Sequence, residues 1–445
     1  MAHHKVLVAN RGEISSRIVT AAGEVGMSTM VIYSEQDRLA GYLQRADACF
    51  QIGESGDLGP LEAYLDGARI VNIAKQHHAD LVHPGYGFLS ENVEFAAQVR
   101  EAGLTFVGPP TEIIRKMGDK VAARQIAQSL DIPTIPGTNG PLKDLLEAYE
   151  FAEEHGYPVV VKANFGGGGR GMRVIRRKED IEEAIAASQS EARAAFGNGA
   201  VYMERYLCRP KHIERNHQKI IEFAPAANIS PAVRRGVLDA AIRLAKGINY
   251  ATVENAGTVE FLVEGEQLYF IEMNPRIQVE HTVTEEITGI DIVSAQLRIA
   301  CGATLKELGL AQDKIHRTGF AVQCRVNTEI PSQGFRPDSG TIRGCRLPTG
   351  RGVRLDHSEC FLGASISPYY DSLLVKCICS GADMASTVKR AIRALKEFQI
   401  LGVQTNIAFL VRLLEDPTFA KGNCWTSFVE TKFKDKRNHP GSGEI

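Results

Sequence analysis

Between Lys5 and Gly108 the chain alternates short apolar strands with amphipathic helices, and no other feature narrows its possible folds as far. Lys5-Val-Leu-Val-Ala-Asn10 reads as a buried strand, followed by a helix from Ile14 to Val25. Ile14, Ile18, Ala21, Ala22 and Val25 share one stripe of that helix, and Gly26 is placed to end it. Strand Ser28 to Tyr33, helix Leu61 to His77, strand Asp80 to His83, helix Asn92 to Ala102 and strand Thr105 to Gly108 continue the pattern. Repetition of this kind predicts a doubly wound parallel sheet. Its first turn, Asn10-Arg-Gly-Glu13, is not GxGxxG, so a dinucleotide site has little support. His83-Pro-Gly-Tyr-Gly-Phe-Leu-Ser90 falls where open sheets place ligands, although a rigid structural turn reads equally well.

The densest chemistry lies further on, in Gln267-Leu-Tyr-Phe-Ile-Glu-Met-Asn-Pro-Arg-Ile-Gln-Val-Glu-His-Thr-Val-Thr-Glu285. It starts as an alternating strand and continues into acids, amides and an arginine. In an extended segment every second side chain shares a face, so Glu272, Asn274, Arg276, Gln278 and Glu280 are expected to converge. An arginine among carboxylates and amides suits a small anion, and paired carboxylates suit a hard divalent cation. A lone ExN would be a solvated surface strand; this density favours a site. Gly257-Thr-Val-Glu260-Phe-Leu-Val263 precedes it and predicts a hairpin that sets Glu260 beside Glu272, as two carboxylates bracketing Mg²⁺ would require.

Two lysines stand upstream. Lys120 lies early in a helix expected over Met117 to Leu130, and Lys162 lies in the apolar strand Tyr157 to Ala163. A lysine inside such a run is costly to bury without an anionic partner. Gly166-Gly-Gly-Gly-Arg-Gly171 follows at once, where absent side chains let backbone N–H groups approach an anion. Its spacing fits neither a Walker A loop nor a kinase loop; a flexible linker is the bland alternative, but between two strands a hairpin that closes over phosphates reads better.

Composition excludes several classes. The 445 residues suffice for two or three domains; a net charge near −2 gives no basic field for nucleic acid, and no run approaches membrane-spanning length. The nine cysteines are scattered singletons apart from Cys377-Ile-Cys379, predicting reduced thiols and no cysteine-bound metal. The N-terminus enters a strand almost at once, which predicts an intracellular protein, cytoplasmic rather than in the mitochondrial matrix.

Phe270-Ile-Glu-Met-Asn-Pro-Arg-Ile-Gln-Val-Glu-His281 resembles the signature of biotin carboxylases, ATP-grasp enzymes that carboxylate biotin. Met117-Gly-Asp-Lys120, the His83 to Glu91 loop and Gly166 to Met172 add to the likeness, which runs from about Lys5 to about Glu430. The ending, Gly402 to Phe409 with Trp425-Thr-Ser-Phe428, looks nearest to the pyruvate carboxylase branch. The resemblance implies a Rossmann-like domain over 1–112, an ATP-grasp domain over 113–316 with a mobile lid at about 133–205, a mixed α+β C-terminal domain over 317–432, and a polar tail over 433–445.

By the same resemblance Lys120, Lys162 and the loop glycines Gly167, Gly168 and Gly169 face nucleotide phosphates, Glu204 and Leu207 the adenine, and His212 the ribose. Glu260, Glu272 and Asn274 would hold Mg²⁺ or Mn²⁺; Arg276, Gln278, the Val279 backbone and Lys219 would hold bicarbonate; Glu280 would be the base, and Arg354 would stabilise the biotin enolate. For Arg354 a surface salt bridge is the bland alternative. The chain carries no Met-Lys-Met attachment motif and no carboxyltransferase region, so biotin is expected on a carrier domain in another chain or in a larger polypeptide, within a homo-oligomer.

One departure stands out. Relatives continue from Lys-His-Ile-Glu through a strand-turn-strand before His-Gln-Lys, whereas Lys211-His-Ile-Glu214 here meets Arg215-Asn-His-Gln-Lys219 directly, a gap centred on 214–217. A loss of central strands would cost ladder hydrogen bonds and open an apolar face. Two rivals therefore stay open: a catalytically silent homologue with an assembly role, and another ATP-grasp ligase joining a carboxylate to an amine.

Overall fold

The computed structural model describes residues 4–53, 58–164, 172–207, 214–215, 218–250, 255–426 and 428–433. Gly167, Gly168, Gly169 and His212, most of the gap region and the polar tail beyond residue 433 lie outside them. Among the described residues no helix is long and apolar enough to cross a membrane.

Near the N-terminus five parallel strands run in the order Ala48–Gln51, Ser28–Tyr33, Lys5–Val8, Leu81–His83 and Thr105–Phe106. The central strand shows why the sheet needs helices on both faces. Leu7 joins a core with Ile70, Ile73 and Phe95, whereas Val6 and Val8 join another with Ile14, Ile18 and Val293. The helix expected over Leu61 to His77 is two, Pro60–Leu65 and Gly67–Gln76, because the Asp66 side chain accepts from Arg69 N and caps the second. The half-exposed edge strand Ala48–Gln51 has too weak a pattern to be read from sequence.

The lid sheet is antiparallel, in the order Arg173–Ile175, Val159–Ala163, Val201–Arg205, and buries one face against the helices Leu145–His155 and Ile181–Phe196. The helix expected over Met117 to Leu130 also divides. Asp119 accepts from Val121 N and Ala122 N, so Thr111–Gly118 ends and Lys120–Ser129 begins with Lys120 at its first position.

The expected hairpin is present as Thr258–Glu264 with Gln267–Asn274, and Glu260 is the register partner of Glu272. The strand does not extend to Glu280 as expected. Pro275 has no N–H for a ladder, and beyond Asn274 the chain turns into the helix His281–Thr288, with Glu280 at its N-cap.

A second difference concerns Ile221–Ala224. Central by the expected boundaries, it pairs antiparallel with Phe320–Asn327 in a four-stranded sheet completed by Leu373–Gly381 and Val353–His357. Val322, Cys324, Val326, Cys377 and Cys379 face the helices Met384–Glu397 and Ile407–Glu415 in one core. Ala321 faces the opposite way, against Val283 and Ile287 of the helix His281–Thr288. Alternation therefore puts Gln323, Arg325 and Lys376 on the face toward that helix, where the sheet meets the acidic loop.

Candidate active site

Glu260 stands at the centre of the cluster. Its Oε1 accepts from Lys219 Nζ at 3.0 Å, Asn274 Nδ2 at 3.0 Å and Gln278 Nε2 at 2.5 Å. Asn274 Nδ2 lies 3.3 Å from Glu272 Oε1, and Arg276 Nη2 donates to Asn274 Oδ1 at 3.0 Å. Glu260, Glu272, Asn274, Arg276 and Gln278 thus meet, although a turn rather than an extended face brings the last two in. The carboxylates of Glu260 and Glu272 are hard oxygen donors of the kind a divalent cation prefers, and Asn274 turns its Nδ2 toward both of them. Lys120 Nζ approaches Glu272 to 4.0 Å, and burial lowers its pKa, against the pull of Glu272.

Lys219 links this group to the next, donating to Glu280 Oε1 at 2.6 Å while it holds Glu260. Burial alone would lower the lysine pKa, but Glu280 and Glu260 hold it above its ordinary value. Burial alone would likewise raise that of Glu280; Lys219 and Arg325 outweigh it and keep the carboxyl below the usual range. Glu280 is therefore held in its ionised form. The loop that carries it is pinned from both ends. Arg276 Nε sits 3.0 Å from Glu91 Oε2, at the end of the His83 loop, and His281 Nδ1 meets Gln278 O at 2.7 Å. The His83 loop is itself tied down by Asn10, whose Nδ2 donates to Pro84 O and Tyr86 O.

In the lid Lys162 Nζ donates to Glu204 Oε2 at 2.6 Å across neighbouring strands, so the anionic partner its burial requires is Glu204. Leu207 is buried just past that strand. Arg354 belongs to a second cluster of charges. Its Nε and Nη2 chelate Asp356 at 2.9 and 3.0 Å, its Nη1 donates to Glu285 Oε2 at 2.8 Å, and it lines a cleft of about 440 Å³ with Arg17, Asp291 and His357. Sequence reading missed what joins the two groups. Lys376, with no exposed side chain, reaches Glu13 at 2.8 Å, Asp356 at 3.6 Å and the Val279 carbonyl at 3.4 Å. Arg325 also escaped notice. Each is a cation in a mostly apolar strand, and that was the available signal.

A carboxylate pair lined by cations, a glutamate at a helix start and a separate lysine on the lid sheet are arranged as in the ATP-grasp class, and the family matches place the chain there. The biotin carboxylase N-terminal domain family matches residues 2–114, the carbamoyl-phosphate synthase L chain ATP binding domain family residues 119–216 and 213–308, and the biotin carboxylase C-terminal domain family residues 323–431. Pyruvate carboxylase of Aspergillus terreus is 51% identical over 453 positions, covering 97% of this chain and 38% of that protein. The human mitochondrial pyruvate carboxylase is 47% identical over 96% of this chain and 38% of its own. Among solved structures, the biotin carboxylase domain dimer of Hydrogenobacter thermophilus 2-oxoglutarate carboxylase, in complex with MgADP, ADP and bicarbonate, superposes with a TM-score of 0.91 at 40% identity, covering 96% of this chain and 97% of that one. Campylobacter jejuni biotin carboxylase, in a β,γ-ATP complex, gives 0.91 at 37% identity over 96% of this chain and 98% of that one. The chain belongs to the biotin carboxylase family.

It spans about 38% of the length of the pyruvate carboxylases it matches. The 453 aligned positions exceed the 445 residues of the whole chain, so the relatives carry extra residues inside the matched region. The ATP-binding family match breaks and resumes at 213–216, where the sequence shows its gap. The silent-homologue reading gains nothing from this, because Lys219, just after the gap, reaches both Glu260 and Glu280.

Proposed function

We propose that this chain carboxylates biotin with ATP and bicarbonate, as the first half-reaction of a pyruvate carboxylase-like enzyme, with domains divided at about residues 112 and 316. The observation that carries this reading is Lys219, bridging the carboxylate of the cation site to that of the base. A bicarbonate held by Arg276, Gln278, the Val279 N–H and Lys219 would present its hydroxyl to Glu280. Glu280 takes that proton as the bicarbonate oxygen attacks the γ-phosphorus of ATP, and ADP leaves as carboxyphosphate forms. Glu260, Glu272 and Asn274 would hold a divalent cation, whose chemistry is to offset phosphate charge in that transfer. Lys120 and Lys162 contribute fixed positive charge at the phosphates; Lys162 must exchange Glu204 for the nucleotide to do so.

Carboxyphosphate then splits to CO₂ and phosphate, the phosphate takes the proton from the biotin ring nitrogen, and the nitrogen attacks CO₂. Arg354, oriented by Asp356 and Glu285, would face the negative ureido oxygen. We assign biotin to a carrier domain, the second half-reaction to a carboxyltransferase elsewhere, the assembly to a homo-oligomer and the compartment to the cytoplasm. The test is ADP release by the purified chain with ATP, Mg²⁺ and bicarbonate. Stimulation by free biotin and dependence on bicarbonate are expected; amine-dependent, bicarbonate-independent turnover would reassign the enzyme to another ATP-grasp ligase.

A further inference from the structure

Glu280 is held from two sides by different elements. Lys219 grips Oε1, and Arg325 Nη2 donates to Oε2 at 3.2 Å from the strand Phe320–Asn327. Arg325 is 9% exposed in a strand whose every residue is buried, and it serves a second acid. Its Nε and Nη2 lie 2.6 and 2.5 Å from Glu222 Oε1, on the adjoining strand Ile221–Ala224. Glu222 Oε2 in turn accepts from Gln323 Nε2 at 2.9 Å, and Gln323 Oε1 accepts from Thr282 in the helix that Glu280 caps. The circuit Glu280–Arg325–Glu222–Gln323–Thr282 returns to the element it started from. A pair that only joined the two strands would need Arg325 and Glu222; here Nη2 also donates to Glu280.

We propose that Arg325 and Glu222 are a positioning pair for the base: Glu222 fixes the plane of the guanidinium, and the guanidinium fixes the Glu280 carboxylate against Lys219 and the bicarbonate loop. The inference rests on the reading of Glu280 as the base. The charged groups around it are Lys219 and Arg325 directly, Glu222 behind Arg325, Glu260 sharing Lys219, and Asp371, whose charge acts on Arg325. Arg325 favours the ionised form of Glu280, and the charge on Glu222 opposes it. Removing either partner therefore moves the base in opposite directions.

The experiment compares kcat, the KM for ATP and for bicarbonate, and the pH profile of bicarbonate-dependent ATP hydrolysis in wild type, Arg325→Met, Arg325→Lys and Glu222→Gln, with thermal melts alongside. Arg325→Met is expected to lower kcat at neutral pH about 10²-fold through misplacement of the base, to leave the KM for ATP within about 2-fold, and to move the acidic limb to higher pH. Arg325→Lys restores part of kcat, and Glu222→Gln moves the acidic limb to lower pH. Wild-type turnover with unmoved acidic limbs in the variants, whatever their melting temperatures, overturns the positioning role and leaves the proposed function standing. Wild type that binds ATP without bicarbonate-dependent hydrolysis removes both. Should Arg325→Met not fold, the limb of Glu222→Gln decides.

Discussion

Lys376 Nζ lies 3.4 Å from the carbonyl oxygen of Val279, tying a fully buried ammonium to the loop that carries Gln278 and Glu280. The same nitrogen holds Glu13 of the first helix and Asp356 beside Arg354, so one cation joins the N-terminal sheet, the acidic loop and the C-terminal sheet. The two halves of the site share this contact.

Replacing Lys376 by Met strands Glu13 without its cation and leaves Asp356 to Arg354 alone. A loss of roughly 3–5 kcal/mol is expected by chemical denaturation. Adding Glu13→Gln should recover part of it, since burial already pushes the Glu13 carboxyl up to about 7 and a neutral amide suits that position.

Asn274 touches Glu260, Glu272 and Arg276 through one amide. Asn274→Ala is expected to raise the Mg²⁺ concentration for half-maximal hydrolysis by about 10–100-fold, with chelation abolishing activity in both proteins. An unchanged Mg²⁺ titration would remove Asn274 from the cation site.

In the proposed mechanism Arg354 serves the second step alone. Arg354→Ala should leave biotin-independent ATP hydrolysis within about 2-fold while biotin carboxylation falls on the order of 10²–10³-fold. Equal loss in both assays would show that the Asp356–Arg354–Glu285 cluster holds the fold rather than biotin.

Acid sensitivity follows from Asp356. Burial would raise its pKa, but Lys376 and Arg354 hold it below the ordinary aspartate value of 3.8. A depressed folded-state pKa contributes stability that is present above the unfolded value and lost as pH falls below it. Melting temperature should therefore drop from about pH 4 downward, and Asp356→Asn should flatten that fall while lowering stability at neutral pH.

The parallel N-terminal sheet was legible because strand and helix periods alternate cleanly and each helix has an apolar stripe. The hairpin setting Glu260 opposite Glu272 was legible for the same local reason, and Lys162 announced itself as a charge in an apolar strand. The splits at Asp66 and Asp119 were not, since a cap residue inside a periodic stretch stops a helix without altering its pattern. The roles of Arg325, Glu222 and Lys376 were not legible, because period-2 alternation tells which side chains share a face but not what meets that face.

Local pattern by itself therefore determined the element types, the acidic stretch and its register against Glu260, all properties of residues near one another in the chain. Only the tertiary structure decided that Ile221–Ala224 leaves the central region for the C-terminal sheet, and that Arg325, Glu222 and Lys376 close on the acidic loop. Those choices depend on which buried cation finds which buried acid, as Arg325 finds Glu280 across 45 residues and Glu222 across 103, and a desolvated charge settles that by proximity in space alone.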